Sequence, residues 1–213
     1  MKGTTMKTTA RLFLLLALAG FMAMEPTCDG SVDLTVTVES PMDFYINTST
    51  SSYDIAAQAD LTDDIRQAME DANFDPQDIK RVVIERITYI VKDNKSQENT
   101  VINLETKVAR YGTTDPAAAT PLLSVSDVNL TEVEGTSQNP TLHQGGIELI
   151  RDILNESLVE GTGRAAFSGF LSGSATPAPP PNIDFALEVS MTITLVAKVS
   201  IDENDTSAKG DQK

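Results

Sequence analysis

The chain has no tryptophan, one cysteine and one histidine among its 213 residues. A lone cysteine, Cys28, excludes an intramolecular disulfide framework and any cluster of thiolate ligands. A lone histidine, His143, leaves no second imidazole for a transition-metal site, and a Ser-His-Asp arrangement would have to be built on it. The glycines beside it, Gly145 and Gly146, lack the following Lys-Ser/Thr of a phosphate loop. No Gly-x-Ser-x-Gly elbow occurs; "SGFLSGS" comes nearest and does not match. Without tryptophan, the usual stacking platform for a sugar is missing, although tyrosine could substitute. Positive charge is scarce as well: 16 Lys and Arg stand against 31 Asp and Glu, for a formal net charge of −15. No basic cluster interrupts the acidity. Phosphate backbones and anionic lipid surfaces would repel such a chain, so no nucleic-acid partner is expected.

One apolar run is present, and it is at the start. "MKGTTMKTTARLFLLLALAGFMAME" carries Lys2, Lys7 and Arg11, no acid before Glu25, and an apolar stretch from Leu12 to Met24. As a helix that stretch is about 20 Å long, whereas the hydrocarbon core of a bilayer is about 30 Å thick. The order basic, apolar, small is that of a Sec export signal. Ala17-Leu18-Ala19 offers a cleavage site, so residues 1–23 are expected to be a signal peptide cut near 19–23, followed by a short leader at 24–30. Cleavage removes three positive charges and takes the net charge from −15 to −18.

Cys28 falls in that leader. The tripeptide Leu18-Ala19-Gly20 resembles the box of bacterial lipoproteins, which places the acylated cysteine immediately after it; here Phe21 stands there, and Cys28 follows Glu25-Pro26-Thr27. Three readings stand side by side for this residue: lipidation, a free thiol and an intermolecular disulfide. Nothing near it would lower its pKa, so a catalytic thiol is not expected.

The body of the chain is dominated by period-two alternation. "SVDLTVTVES" puts Val32, Leu34, Val36 and Val38 on one face of a strand, and "SYDIAAQADL" does the same with Tyr53, Ile55, Ala57, Ala59 and Leu61. "DLTDDIRQAMEDANF" switches to helical spacing: Ile65, Ala68, Met69 and Ala72 share a side, Asp60 or Thr62 can cap, and Asp63 and Asp64 sit at the positive end of the dipole. "RVVIERITYIVKDN" is a strand whose inward parity slips, from Val82 and Ile84 to Ile87, Tyr89 and Val91. A β-bulge near Glu85-Arg86 would reconcile the two sets. "TVINLETKVAR" follows with Ile102, Leu104, Thr106 and Val108, and the two segments read as a hairpin. "LLSVSDVNLTEV" is a further, kinked strand and "EGTSQNPTLHQGG" a long loop. "IELIRDILNESLVEG" is a second helix with Ile147, Ile150, Leu154 and Leu158 inward and Gly161 as its stop; Thr141 and Gln144 could form a capping box before it. "AAFSGFLSGS" is a short strand, and "ATPAPPP" an extended polyproline-type crossover. In "DFALEVSMTITLVAKVSID", Phe185, Leu187, Val189, Met191, Ile193, Leu195, Ala197, Val199 and Ile201 share one face without a break. Fully extended, that strand would span about 55 Å.

Asp71, Asn73 and Asp75 have the D-x-N-x-D spacing of a calcium loop. Pro76 stands where that loop needs glycine, and Val82 where it needs glutamate, so a helix stop followed by a capped turn is the better reading.

These observations predict a mainly β domain over residues 31–203, an antiparallel β-sandwich or a curved sheet, with two inserted helices at about 62–73 and 146–160. A polar tail at 204–213 is expected to be disordered. No catalytic residues, metal ligands or cofactors are expected, and the ligand-binding residues, if any, are unknown. The function that follows is an exported, non-catalytic β-sandwich module with a structural or protein-interaction role in the cell envelope or outside the cell. Two alternatives remain: a carrier holding an apolar ligand or lipid between sheet and helices, with Met69 and Met191 in its lining, and an envelope lipoprotein anchored through Cys28.

Overall fold

The structure is a computed structural model, and it describes residues 31–176 and 182–200. The expected signal peptide, the leader with Cys28, the prolines of the crossover and the tail lie outside the described residues.

Two antiparallel sheets form a β-sandwich. The strands are β1 (Ser31–Thr48), β2 (Ser52–Asp60), β3 (Ile79–Lys92), β4 (Val101–Arg110), β5 (Thr120–Asn129), β6 (Thr141–Leu142), β7 (Ala166–Thr176) and β8 (Ile183–Ser200). The first sheet has three strands in the order β1-β8-β3, and the second has five in the order β2-β7-β4-β5-β6. Three α-helices, α1 (Thr62–Asp71), a single turn α2 (Leu130–Val133) and α3 (Gln144–Leu158), and two 3-10 turns at Pro76–Asp78 and Pro116–Ala118 complete the described fold. The inner faces of both sheets belong to one core cluster. Tyr53 of β2 meets Phe185 of β8 edge to face across the sandwich, with ring centroids 6.4 Å apart.

β8 is central to the smaller sheet, and its alternation is intact. Phe185, Leu187, Val189, Met191, Ile193, Leu195 and Ala197 are all buried. Its pairing with β1 runs from Ser31↔Ser200 to Thr48↔Ile183 without a register shift. β1 is longer than "SVDLTVTVES" suggests. The even parity continues through Met42, Phe44 and Ile46, all buried. Pro41 does not end the strand, because β1 is an edge strand where a missing N–H is tolerated. β3 carries the expected bulge: its register against β8 jumps between Ile84 and Arg86, so Glu85 is the extra residue and Ile87, Tyr89 and Val91 recover the inward side.

β3 and β4 do not form a hairpin. β3 pairs with β8 in one sheet, and β4 pairs with β5 and β7 in the other. The polar connection at 93–100 is longer than a tight hairpin loop, and it is held to the start of β8 rather than folded back. Lys95 N–H donates to Asp184 O at 2.7 Å, and Asp184 N–H donates to Ser96 Oγ at 3.0 Å. The chain therefore crosses between sheets at this point. The hairpin lies one strand later, between β4 and β5. β5 is kinked as expected: Asp127 adopts φ 54°, and its N–H donates to Asn103 Oδ1 at 2.9 Å.

α1 packs on β1, while α3 touches β3 in one sheet and β4, β5 and β7 in the other. In α1 Ile65 and Met69 are buried, but Ala72 is the exposed C-cap rather than part of the inward side. Neither Asp60 nor Thr62 caps α1: the N-cap is Leu61, without a side-chain cap bond, and Asp60, one residue earlier, accepts the Thr62 N–H on Oδ1 at 3.2 Å. α3 begins at Gln144, earlier than its spacing suggests, and has no capping box. Thr141 is taken into β6, His143 is the N-cap, and Gln144 Nε2 donates to Glu148 Oε1 at 3.0 Å. The long loop does structural work through its backbone. Tyr89 and Gln138 exchange N–H···O bonds at 3.0 and 2.9 Å, and Gly135 N–H donates to Val91 O at 2.9 Å. The next residues pair with β5 as β6, so one segment covers part of the free edge of β3 and then part of that of β5.

Gly146 lies in the first turn of α3, where a Cβ would sit 2.4 Å from Pro121 O and 2.6 Å from Leu122 Cα. The helix can approach β5 this closely only without a side chain. Gly145 has one close neighbour, Thr120 Cγ2 at 3.1 Å. Gly146→Ala should therefore lower stability by about 2 kcal/mol, whereas Gly145→Ala should be near neutral. Urea unfolding of both variants checks this, and equal midpoints would contradict the close approach.

Candidate functional site

The interior offers little room. A void between the sheets holds about 10 Å³ and is lined by Ser40, Met42, Ile87, Ile150, Phe167 and Met191 among others. Small-molecule pockets run to roughly 300–1,000 Å³, so an apolar passenger would require the sheets to part. Met69 is buried, and so is Met191, against the same void.

His143 is half-buried, and its Nε2 lies 3.2 Å from Ser124 Oγ. Ser124 faces outward on β5, beside Glu105 of β4. The sequence offers no sign of this pair, since the two residues are 19 apart and no motif joins them. As a nucleophile and base they have no carboxylate on the other imidazole nitrogen among the described residues. The nearest groove is an open one of about 410 Å³ on the outer face of the larger sheet, lined by Asn103, Glu105, Ser126, Ser172 and Ser174. Glu105 is engaged by Lys107 Nζ at 3.4 Å, and Asn103 Oδ1 by the Asp127 N–H. The groove is a shallow, hydroxyl-rich surface rather than a closed cleft.

The acidic spacing at the end of α1 resolves into local capping. Asn73 takes φ 56° as the helix stops, Gln67 Nε2 donates to Asp71 Oδ1 at 2.8 Å, and Asp75 Oδ1 accepts the Gln77 N–H at 2.9 Å. Among the described residues no group of three or more His, Cys, Asp or Glu side chains could hold a metal ion. Cys28, the lipidation candidate, lies outside the described residues. No described helix is long and apolar enough to cross a membrane.

Ion pairs cluster where β2, β4 and α3 end. Arg110 clasps Glu156 with both guanidinium nitrogens at 2.6 Å. Arg164 pairs with Asp60 and lies over the Tyr111 ring, 5.1 Å from its centroid. On the smaller sheet, Asp43 of β1 and Glu188 of β8 are direct cross-strand partners, and Lys92 Nζ lies 2.5 Å from Glu188 Oε2. Partial burial pushes the Asp43 carboxyl above its ordinary range, the Glu188 charge adds to this, and Lys92 opposes it.

No family model matches the chain, and no curated protein matches it. Solved structures that overlap it include Desmodium yellow mottle tymovirus, at 10% identity and a TM-score of 0.37 over 93% of this chain and 100% of that one. Turnip yellow mosaic virus overlaps at 10% identity and a TM-score of 0.37 over 87% and 91%. The empty head of turnip yellow mosaic virus gives 12% identity and a TM-score of 0.34 over 89% and 94%. Overlap this loose carries no argument. The chain's own strand order defines its class, a two-sheet antiparallel β-sandwich with few helices.

Asp43 has a consequence for pH. An acid whose folded pKa is raised favours the fold while neutral. That contribution is present below the unfolded value of 3.8 and is lost as pH rises through the raised one. Asp43→Asn should therefore raise stability at pH 7 by at most about 1 kcal/mol, the usual limit for one cross-strand pair, and do little at pH 3. Urea midpoints at both pH values check this. A less stable variant at pH 7 would contradict it.

Proposed function

We propose that the chain is an exported, non-catalytic β-sandwich module that works by contact with another protein of the cell envelope or the outside. The observation that carries this reading is the dispersal of reactive side chains over the outer faces while the space between the sheets is filled. The His143–Ser124 pair is half-buried at the edge of the larger sheet, and the Glu105 groove and the Arg164–Asp60 cluster stand on open surface. Catalysis instead needs a nucleophile, base and orienting group converged in a water-excluding cleft. Binding through sheet faces and loops needs only a stable scaffold, and the sandwich supplies one. Support for export comes from the first 23 residues, with their basic, apolar and small-residue order.

Expression of the full chain in a bacterium, followed by fractionation and intact mass, tests the reading. The expected product lies outside the cytoplasm, lacks the first 19–23 residues, and carries no added mass. A diacylglyceryl addition at Cys28 would convert the reading to a lipid-anchored lipoprotein, and co-purifying lipid released on denaturation would favour the carrier. An uncut chain in the cytoplasm would overturn export.

A further inference from the structure

The outer face of the three-stranded sheet is polarised across its width. On β1 the outward residues in register with β8 include Glu39 and Asp43, and no cation lies between Thr35 and Asn47. On β3 the outward residues paired with β8 are Arg81, Val83, Arg86, Thr88, Ile90 and Lys92, three of them cations, and the one acid on that side is the exposed Glu85 beside Arg86. Glu85 is the bulged residue and has no partner position on β8. The strip between them on β8 is Ala186, Glu188, Ser190, Thr192, Thr194 and Val196, so the middle of the face is small or hydroxyl-bearing apart from Glu188. Glu39, Arg81 and Arg86 are exposed and form no ion pair among the described residues. Tyr45, 55% exposed, stands in the row of Ala186 and Lys92.

We propose that this face docks on the same face of a second copy of the chain, about a two-fold axis that runs parallel to β8. That axis turns the sheet over and exchanges its two edges, so the acidic β1 of one copy lies over the basic β3 of the other. The alternative axis, perpendicular to the strands, would set acid on acid. The register fixes the partners. Glu39 and Arg86 share the Thr192 row, so each Glu39 meets the other copy's Arg86. Tyr45 and Lys92 share the Ala186 row, which sets the exposed ring against an ammonium. Asp43, one row away, gains the same Lys92 as a neighbour. Glu188 lies on the axis and faces its own copy, and its charge is already balanced by Lys92 at 2.5 Å. The contact is isologous and therefore closes at two copies. Three strands over six rows cover roughly 14 by 40 Å, about 1,100 Å² counted over both copies, near the lower bound for a specific interface. The expected dissociation constant is accordingly in the micromolar range. The proposal stands whether or not the chain is exported.

Sedimentation velocity at low salt, over a concentration series, reads the association directly. Glu39→Arg and Arg86→Glu each place like charges in contact at two symmetry-related points and should weaken the dimer about tenfold or more. The double variant restores opposite charges and should recover most of that loss. Both positions are exposed, and circular dichroism confirms that each variant is folded. A chain that stays monomeric to several hundred micromolar would overturn the proposal, and so would single reversals without effect or a double variant that fails to recover.

Discussion

β8 is hydrogen-bonded along both of its edges, to β1 on one side and β3 on the other, and it buries one whole face against the larger sheet. Everything else in the smaller sheet is arranged around that strand. Burial of a large apolar side chain is worth about 1.5–3 kcal/mol, and β8 contributes Phe185, Leu187, Val189, Met191, Ile193 and Leu195 in sequence to the same layer. A one-residue slip would send that entire row to solvent, so register is strongly specified. β1 follows β8 without a shift, and β3 follows it only by inserting bulged residues. The bulge at Glu85 is the adjustment that keeps two differently phased halves of β3 on one inner face.

The remaining elements close the sandwich at its open sides. α1 covers β1, and α3 spans from β3 to the larger sheet. The extended run at 134–142 stitches the edge of β3 and then the edge of β5 by backbone bonds alone. These devices leave the two outer faces as the surfaces with choices to make. One is hydroxyl-rich around Ser172, Ser174 and Asn103, and the other is split between acid and base.

Periodicity is a local property, and what depended on it was legible in the sequence. The inward faces of β2, β3 and β8, the bulge at Glu85 and most of the buried side of α1 follow from spacing. Strand pairing is not local. β3 and β4 each have one apolar face and a polar link between them, and nothing in either strand says that the link crosses the sandwich. The bonds from Lys95 and Ser96 to Asp184 decide it, and they join residues 88 or more apart. Pro41 lies within β1, where an edge position tolerates the missing N–H. The role of the 134–142 segment was hidden because its bonds to β3 and β5 use the backbone and not side-chain identity. Gly146 looked like half of a failed phosphate loop and is instead the point where α3 touches β5. For the site, His143 was visible but its Ser124 partner was not. The charge split of the smaller sheet exists only because β8 lies between β1 and β3.

The claim that β8 holds the fold together is tested most directly by amide hydrogen exchange on the full chain. The amides of residues 185–197 should exchange only through global unfolding, and more slowly than those of α1, β2 and the 134–142 segment. Exchange along β8 as fast as in α1 would contradict it.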